Sequence, residues 1–220
     1  MPAPLLQLEG VSRRYDDRLA LDVIDLSLAP GSCVALVGQN GSGKSTLLRI
    51  ACGRDEPTTG RALLAGAPLR EDDPTVRARV AVVADAPSFY PDLTVREHLL
   101  LVAVSHGVGD DAGEWVDWAL EDRRLLDHGD ALPSTLSSGQ LQAMLLASAL
   151  VRPRELLILD ETEQRLDPGA RDRLAARLAA ERADGVAVLL ATHSAPLAAA
   201  VADTVIELDE GRVVSSGPPR

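Results

Sequence analysis

The sequence predicts an α/β fold in which an N-terminal antiparallel β subdomain precedes a mostly parallel core sheet, with a helical subdomain inserted into it. Three observations lead there. Residues 80–84, 156–159 and 186–190 are continuously apolar runs, as strands are when helices cover both faces of a parallel sheet. A short apolar segment, residues 32–37, feeds a glycine-rich loop and then a helical pattern, giving strand, loop and helix in succession. Residues 21–28 instead alternate Ile24, Leu26 and Leu28 with Asp25 and Ser27, the mark of an antiparallel strand with one wet face.

Each element follows from local chemistry. The helix after the glycine loop runs over residues 45–52 and is stopped by Gly53. Thr94 and Glu97 form a capping box that opens a helix to about Ser105. The polar stretch 107–111 breaks it before a second helix carrying Trp115, Trp118, Leu125 and Leu126. Residues from about 86 to 152 therefore form the helical insertion, within a single domain spanning 1–220. Asp167 and Pro168 supply an N-cap and an N1 proline for a helix from Ala170 to Ala183, which Gly185 ends.

Composition excludes several classes. A formal charge of −11 over 220 residues, with no concentrated basic face, argues against an electrostatic nucleic-acid binder. No apolar run approaches the roughly 18 residues of a spanning helix, and the N-terminus lacks a signal-peptide pattern, so a soluble cytosolic chain is expected. Cys33 and Cys52 lie in apolar segments and read as reduced core residues. His98, His106 and His128 read as surface residues.

Lys44 is the one lysine among the 22 lysines and arginines. It lies in Gly38-Gln39-Asn40-Gly41-Ser42-Gly43-Lys44-Ser45, which fits the phosphate-binding pattern GxxxxGK[ST]. A compact ammonium on a flexible stem can lie along β- and γ-phosphate oxygens, where a planar guanidinium is a poorer substitute. The glycines let backbone N–H groups turn toward an anion, and the helix beginning there directs its positive end at the same point. Ser45 is then placed to hold Mg²⁺ through its hydroxyl. At the end of residues 156–159 come Asp160 and Glu161, two carboxylates at the carboxyl edge of the sheet, where α/β sheets bind ligands. One can hold the metal; the other can orient or deprotonate the attacking water.

With Leu136-Ser137-Ser138-Gly139-Gln140 between these motifs, the chain resembles the nucleotide-binding subunits of ATP-binding-cassette (ABC) transporters over nearly its whole length. The resemblance implies a P-loop NTPase fold of the ABC type, ATP and Mg²⁺ as ligands, and ATP hydrolysis driving transport. It matches Tyr15 to the aromatic that stacks on adenine, Gly38 to Thr46 to Walker A, Asp160 and Glu161 to the Walker B aspartate and catalytic glutamate, and His193 to the switch histidine. Ser137, Ser138, Gly139 and Gln140 match the signature, which in the family completes the phosphate site of a second cassette. Two readings stay open at several positions. Tyr15 could cover a sheet edge, Ser137 could cap the helix from Gln140 to Val151, and Asp167 fits both a helix N-cap and the family's D-loop. Phe89 and Tyr90 could meet a membrane partner or join the helical core.

The sequence also departs from the family pattern. Asp85 aligns with the Q-loop glutamine that meets Mg²⁺, Ser138 stands where glycine is usual, and Thr162-Glu163-Gln164-Arg165 replaces a Pro-Thr-Ser-type stretch. The expectation is an ATPase subunit on the cytoplasmic face, working with a permease on a separate chain and paired with a second cassette, a homodimer first and a heterodimer second. The C-terminus, close behind the last strand pattern, favours export. A slow regulatory cassette is the alternative; a soluble cassette acting on DNA or ribosomes is disfavoured because Lys44 and Ser137 stand too close for a coiled-coil insertion.

Overall fold

The computed structural model describes residues 3–84 and 89–219. Chain order is β1 (Leu6–Tyr15), β2 (Arg18–Leu28), β3 (Cys33–Val37), α1 (Lys44–Ala51), β4 (Thr59–Leu64), β5 (Ala67–Pro68), α2 (Pro74–Arg79) and β6 (Val80–Val83). Then come α3 (Val95–Ser105), α4 (Ala112–Asp122), α5 (Ser138–Leu150), β7 (Leu156–Asp160), α6 (Pro168–Ala183), β8 (Ala187–Ala191), α7 (Ala195–Val201), β9 (Thr204–Asp209) and β10 (Arg212–Gly217). An antiparallel sheet in the order β2-β1-β4-β5 packs against a six-stranded sheet in the order β10-β9-β3-β8-β7-β6. Among the described residues of the larger sheet only the β9–β10 pair is antiparallel.

The continuous apolar runs have a direct explanation. Successive side chains of a strand point to opposite faces, and here both faces are covered. Val34 and Leu36 of β3, Leu156 and Ile158 of β7, and Ala187 and Leu189 of β8 pack with α1 and the antiparallel sheet. Their neighbours Cys33, Ala35, Leu157, Leu159, Val188 and Leu190 pack with α5, α6 and α7 on the other side. A third cluster, built from Leu99, Val116, Leu120 and Met144, holds α3, α4 and α5 together. Helix α5 belongs to both, sending Leu145, Leu146 and Ala149 to the sheet and Met144 and Ala147 to the helices, where its C-cap Val151 joins them.

Register brings the functional strand ends level. Leu36 of β3 and Asp160 of β7 both pair with Ala191 of β8, so the loops after all three strands leave from one edge.

Some expectations need correction. The second helix stops at Asp122: Arg124 takes a left-handed φ of 56°, which ends the helix, so Leu125 and Leu126 lie beyond it. His98 is buried, at 3% exposure, not a surface residue. It lies on the inner face of α3, where its Nε2 meets Ser148 Oγ on α5 at 3.1 Å. His106 and His128 are half-buried. Phe89 packs against the sheet-side and helical clusters, whereas Tyr90 is exposed. Both cysteines are buried and free, and burial pushes the Cys33 thiol up to about 12, as befits inert core residues.

Candidate active site

The phosphate-binding loop joins β3 to α1, and two of its glycines are required by contact. A Cβ on Gly38, whose φ is 145°, would lie 2.2 Å from the Leu208 carbonyl oxygen. One on Gly43, with φ 105°, would lie 2.7 Å from Leu21 Cδ2. Gly43 is also the N-cap of α1 and brings no side-chain cap, so the first N–H groups of that helix remain to meet an anion.

Lys44 is 3% exposed. Its ammonium donates to the carbonyls of Gly38 at 2.8 Å and Gln39 at 3.1 Å, and lies 3.3 Å from Glu161 Oε1. Beside it Ser45 Oγ donates to Asp160 Oδ1 at 3.3 Å, joining two of the three residues expected to hold the metal. The loop residues Asn40, Gly41, Gly43, Lys44, Ser45 and Thr46 share a cleft of about 880 Å³ with Tyr15, Glu161 and Gln164. That volume suits a nucleotide-sized ligand.

Glu161 is gripped from three sides. Its backbone takes a left-handed φ of 51° and its N–H donates to the Ala191 carbonyl at 3.0 Å. One carboxylate oxygen receives His193 Nε2 at 2.8 Å as well as Lys44; the other accepts from the Gln164 amide. The loops after β7 and β8 thus bring Glu161 and His193 into contact beside the phosphate loop.

Tyr15 forms part of the cleft wall, and one face of its ring is covered. The Arg13 guanidinium lies 4.5 Å from the ring centroid, and the Tyr15 hydroxyl donates to Asp55 Oδ2, which Arg13 also pairs. Ser137 caps α5: its hydroxyl accepts from the Gln140 N–H at 3.3 Å, while Gln140 Oε1 accepts from the Ser137 N–H at 2.8 Å. Ser137, Ser138, Gly139 and Gln140 stand outside the cleft. Asp85 lies outside the described residues.

Gln164, Glu163, Asp55 and Arg13 join the site with no role expected from the sequence. Gln164 had a usable signal, its position three residues after Glu161 in a loop leaving the same strand. Asp55 had none, because its partners Arg13 and Tyr15 are remote in sequence.

A strand-loop-helix phosphate site facing an Asp-Glu pair across the carboxyl edge of a parallel sheet defines a P-loop nucleoside triphosphatase. More narrowly, the chain belongs to the ABC transporter family, which it matches over residues 21–164. It is 35% identical over 216 residues, 98% of this chain and 71% of the relative, to the Nod factor export ATP-binding protein I of Cupriavidus metallidurans. Its fold superposes with a TM-score of 0.90 and 31% identity on a solved ATP-binding subunit of an ABC transporter, covering 97% of this chain and 90% of that one. A dimeric bacterial ABC transporter cassette gives 0.87 and 25% identity, covering 98% and 99%. The protein is an ATP-binding subunit of an ABC transporter and an ATPase. Among the described residues no helix is long and apolar enough to cross a membrane.

Proposed function

We propose that this chain hydrolyses Mg-ATP to drive export through a separate membrane permease, docked on the cytoplasmic face as one of two cassettes, with a homodimer as the first choice. The printed name of the relatives, a Nod factor export ATP-binding protein, supports the direction. Both subdomains, including the helical one over about 86–152, serve one ATPase domain, and no nucleic acid is involved.

The carrying observation is the placement of Glu161 against both Lys44 and His193. Lys44 and the N–H groups of the loop and α1 bind the phosphates of ATP, Tyr15 offers its free face to the base, and Thr46 and Asn40 line the same cleft. Ser45 Oγ and Asp160 Oδ1 are hard oxygen donors already side by side, the donor chemistry that suits Mg²⁺. When bound, the metal offsets phosphate charge. Asp85 is the remaining candidate for that shell. Glu161 orients the water and accepts its proton, and His193 steadies the Glu161 carboxylate and contacts the developing charge on the γ-phosphate. Ser137, Ser138, Gly139 and Gln140 complete the site of the second cassette.

Glu161→Gln should therefore keep ATP affinity while kcat falls by about 10²–10⁴-fold, the usual effect of losing a positioned base. Equilibrium binding and steady-state phosphate release with the permease present measure the two quantities. An unchanged kcat would remove Glu161 from the chemistry.

A further inference from the structure

Glu163 is a buried carboxylate with no part in the scheme above. It is 3% exposed, and among the described residues no cation lies within ion-pairing distance of it. Burying a carboxyl group is costly unless it gains hydrogen bonds, and those it gains are specific. Its Oε1 accepts from the Thr192 hydroxyl and from the His193 backbone N–H, the latter at 3.2 Å. The Thr192 hydroxyl oxygen in turn accepts from the Ser194 N–H at 2.9 Å, so Glu163 ties Thr192, His193 and, through Thr192, Ser194 to the loop after β7.

The loop after β7 therefore holds His193 at both ends. Glu163 fixes its backbone, and Glu161, two residues earlier, takes its ring at 2.8 Å. We propose that Glu163 is a positioning residue that sets where the His193 imidazole stands relative to Glu161. The proposal rests on the reading of His193 given above for its effect on turnover, though not for the geometry. A displacement of the imidazole by about 1 Å would be felt strongly, since misplacements of that size cost on the order of 10²-fold in rate. Glutamine retains a carbonyl oxygen that can accept both hydrogen bonds; alanine and methionine do not.

The test pairs a geometric readout with a kinetic one. Uniformly ¹⁵N-histidine-labelled protein is studied by NMR, with the His193 ring signals assigned by their loss in His193→Ala. Glu163→Ala should move those signals and Glu163→Gln should leave them close to wild type. In the complex with the permease, Glu163→Ala should lower kcat by about tenfold or more with KM for ATP changed less than about threefold, Glu163→Gln should restore most of the rate, and Glu163→Ala should cost nothing further in a His193→Ala background. If Glu163→Ala does not fold, Glu163→Met fills a similar volume without an acceptor and carries both readings. Unmoved ring signals overturn the proposal. Moved signals with equal rate losses in both backgrounds overturn its catalytic consequence, and moved signals with His193→Ala at full rate leave the positioning standing while removing His193 from hydrolysis.

Discussion

Ser148 Oγ donates to the Met144 carbonyl at 3.0 Å, so it accepts from His98 Nε2–H, and among the described residues His98 Nδ1 is left buried without a partner. Burial accordingly holds the His98 imidazole below its ordinary value of 6.5. A histidine favoured neutral in the fold is protonated first in the unfolded chain as pH falls. Stability contributed by the neutral ring is complete above 6.5 and is lost progressively below it. His98→Gln should therefore lower stability at about pH 7 yet show a smaller further loss on going to about pH 5, measured by urea unfolding. His106, also held low by burial against an opposing bond to the Val102 carbonyl, keeps part of the slope. A slope identical to wild type would show that His98 carries no proton difference in this range. The burial of His98 and the bonds of Glu163 leave no mark in the sequence, since elements distant along the chain make their environments, whereas Lys44, Ser45, Asp160 and Glu161 stand in local patterns, a phosphate loop and a strand ending in acids, whose spacing the backbone sets.

Elements were legible where caps announce them. The boxes at Thr94 with Glu97 and Ser137 with Gln140, and the Asp167 cap before Pro168, all appear where local donors and acceptors require them. The end of α4 was hidden because the leucines continue the helical spacing past Asp122, while the left-handed turn at Arg124 leaves no mark in the pattern. Strands β4 and β5 gave little signal, since most of their residues are exposed. The cap of α5 also separates two roles for one residue. Ser137→Ala removes the acceptor for the Gln140 N–H and should cost about 1 kcal/mol of stability. Ser137→Asp should keep that stability, because aspartate caps as well as serine, but it sets a carboxylate toward the phosphates of a second cassette. Thermal unfolding should place Asp with wild type and Ala below both, whereas ATP-driven pairing should be weakened most by Asp. Pairing of Ser137→Asp at wild-type strength would mean that Ser137 meets no phosphate.

In the whole molecule the phosphate loop and the signature stand apart. The cleft holding the phosphate loop, Tyr15 and Glu161 is lined by no residue of the α5 N-terminus, so the signature has to act on another molecule's nucleotide if it acts on one at all. Two copies, however, each carry a formal charge of −11 and repel one another. ATP must then supply contacts on both sides of the interface, and salt should help by screening the rest, the Debye length falling from about 30 Å at 0.01 M to about 8 Å at 0.15 M. Ser138, exposed at the signature, adds a hydroxyl that can face phosphate, so closure should survive the replacement of the usual glycine. The expected result is that Glu161→Gln, which should hold ATP without consuming it, is monomeric without nucleotide and dimeric with Mg-ATP, and that its dimer strengthens as ionic strength rises from low to physiological. Multi-angle light scattering across that series measures both effects. A dimer that weakens with salt would mean that attraction between complementary patches outweighs the net repulsion. A chain that pairs only with a different cassette once the permease is present would replace the homodimer by a heterodimer, and one that never pairs would sink the composite site.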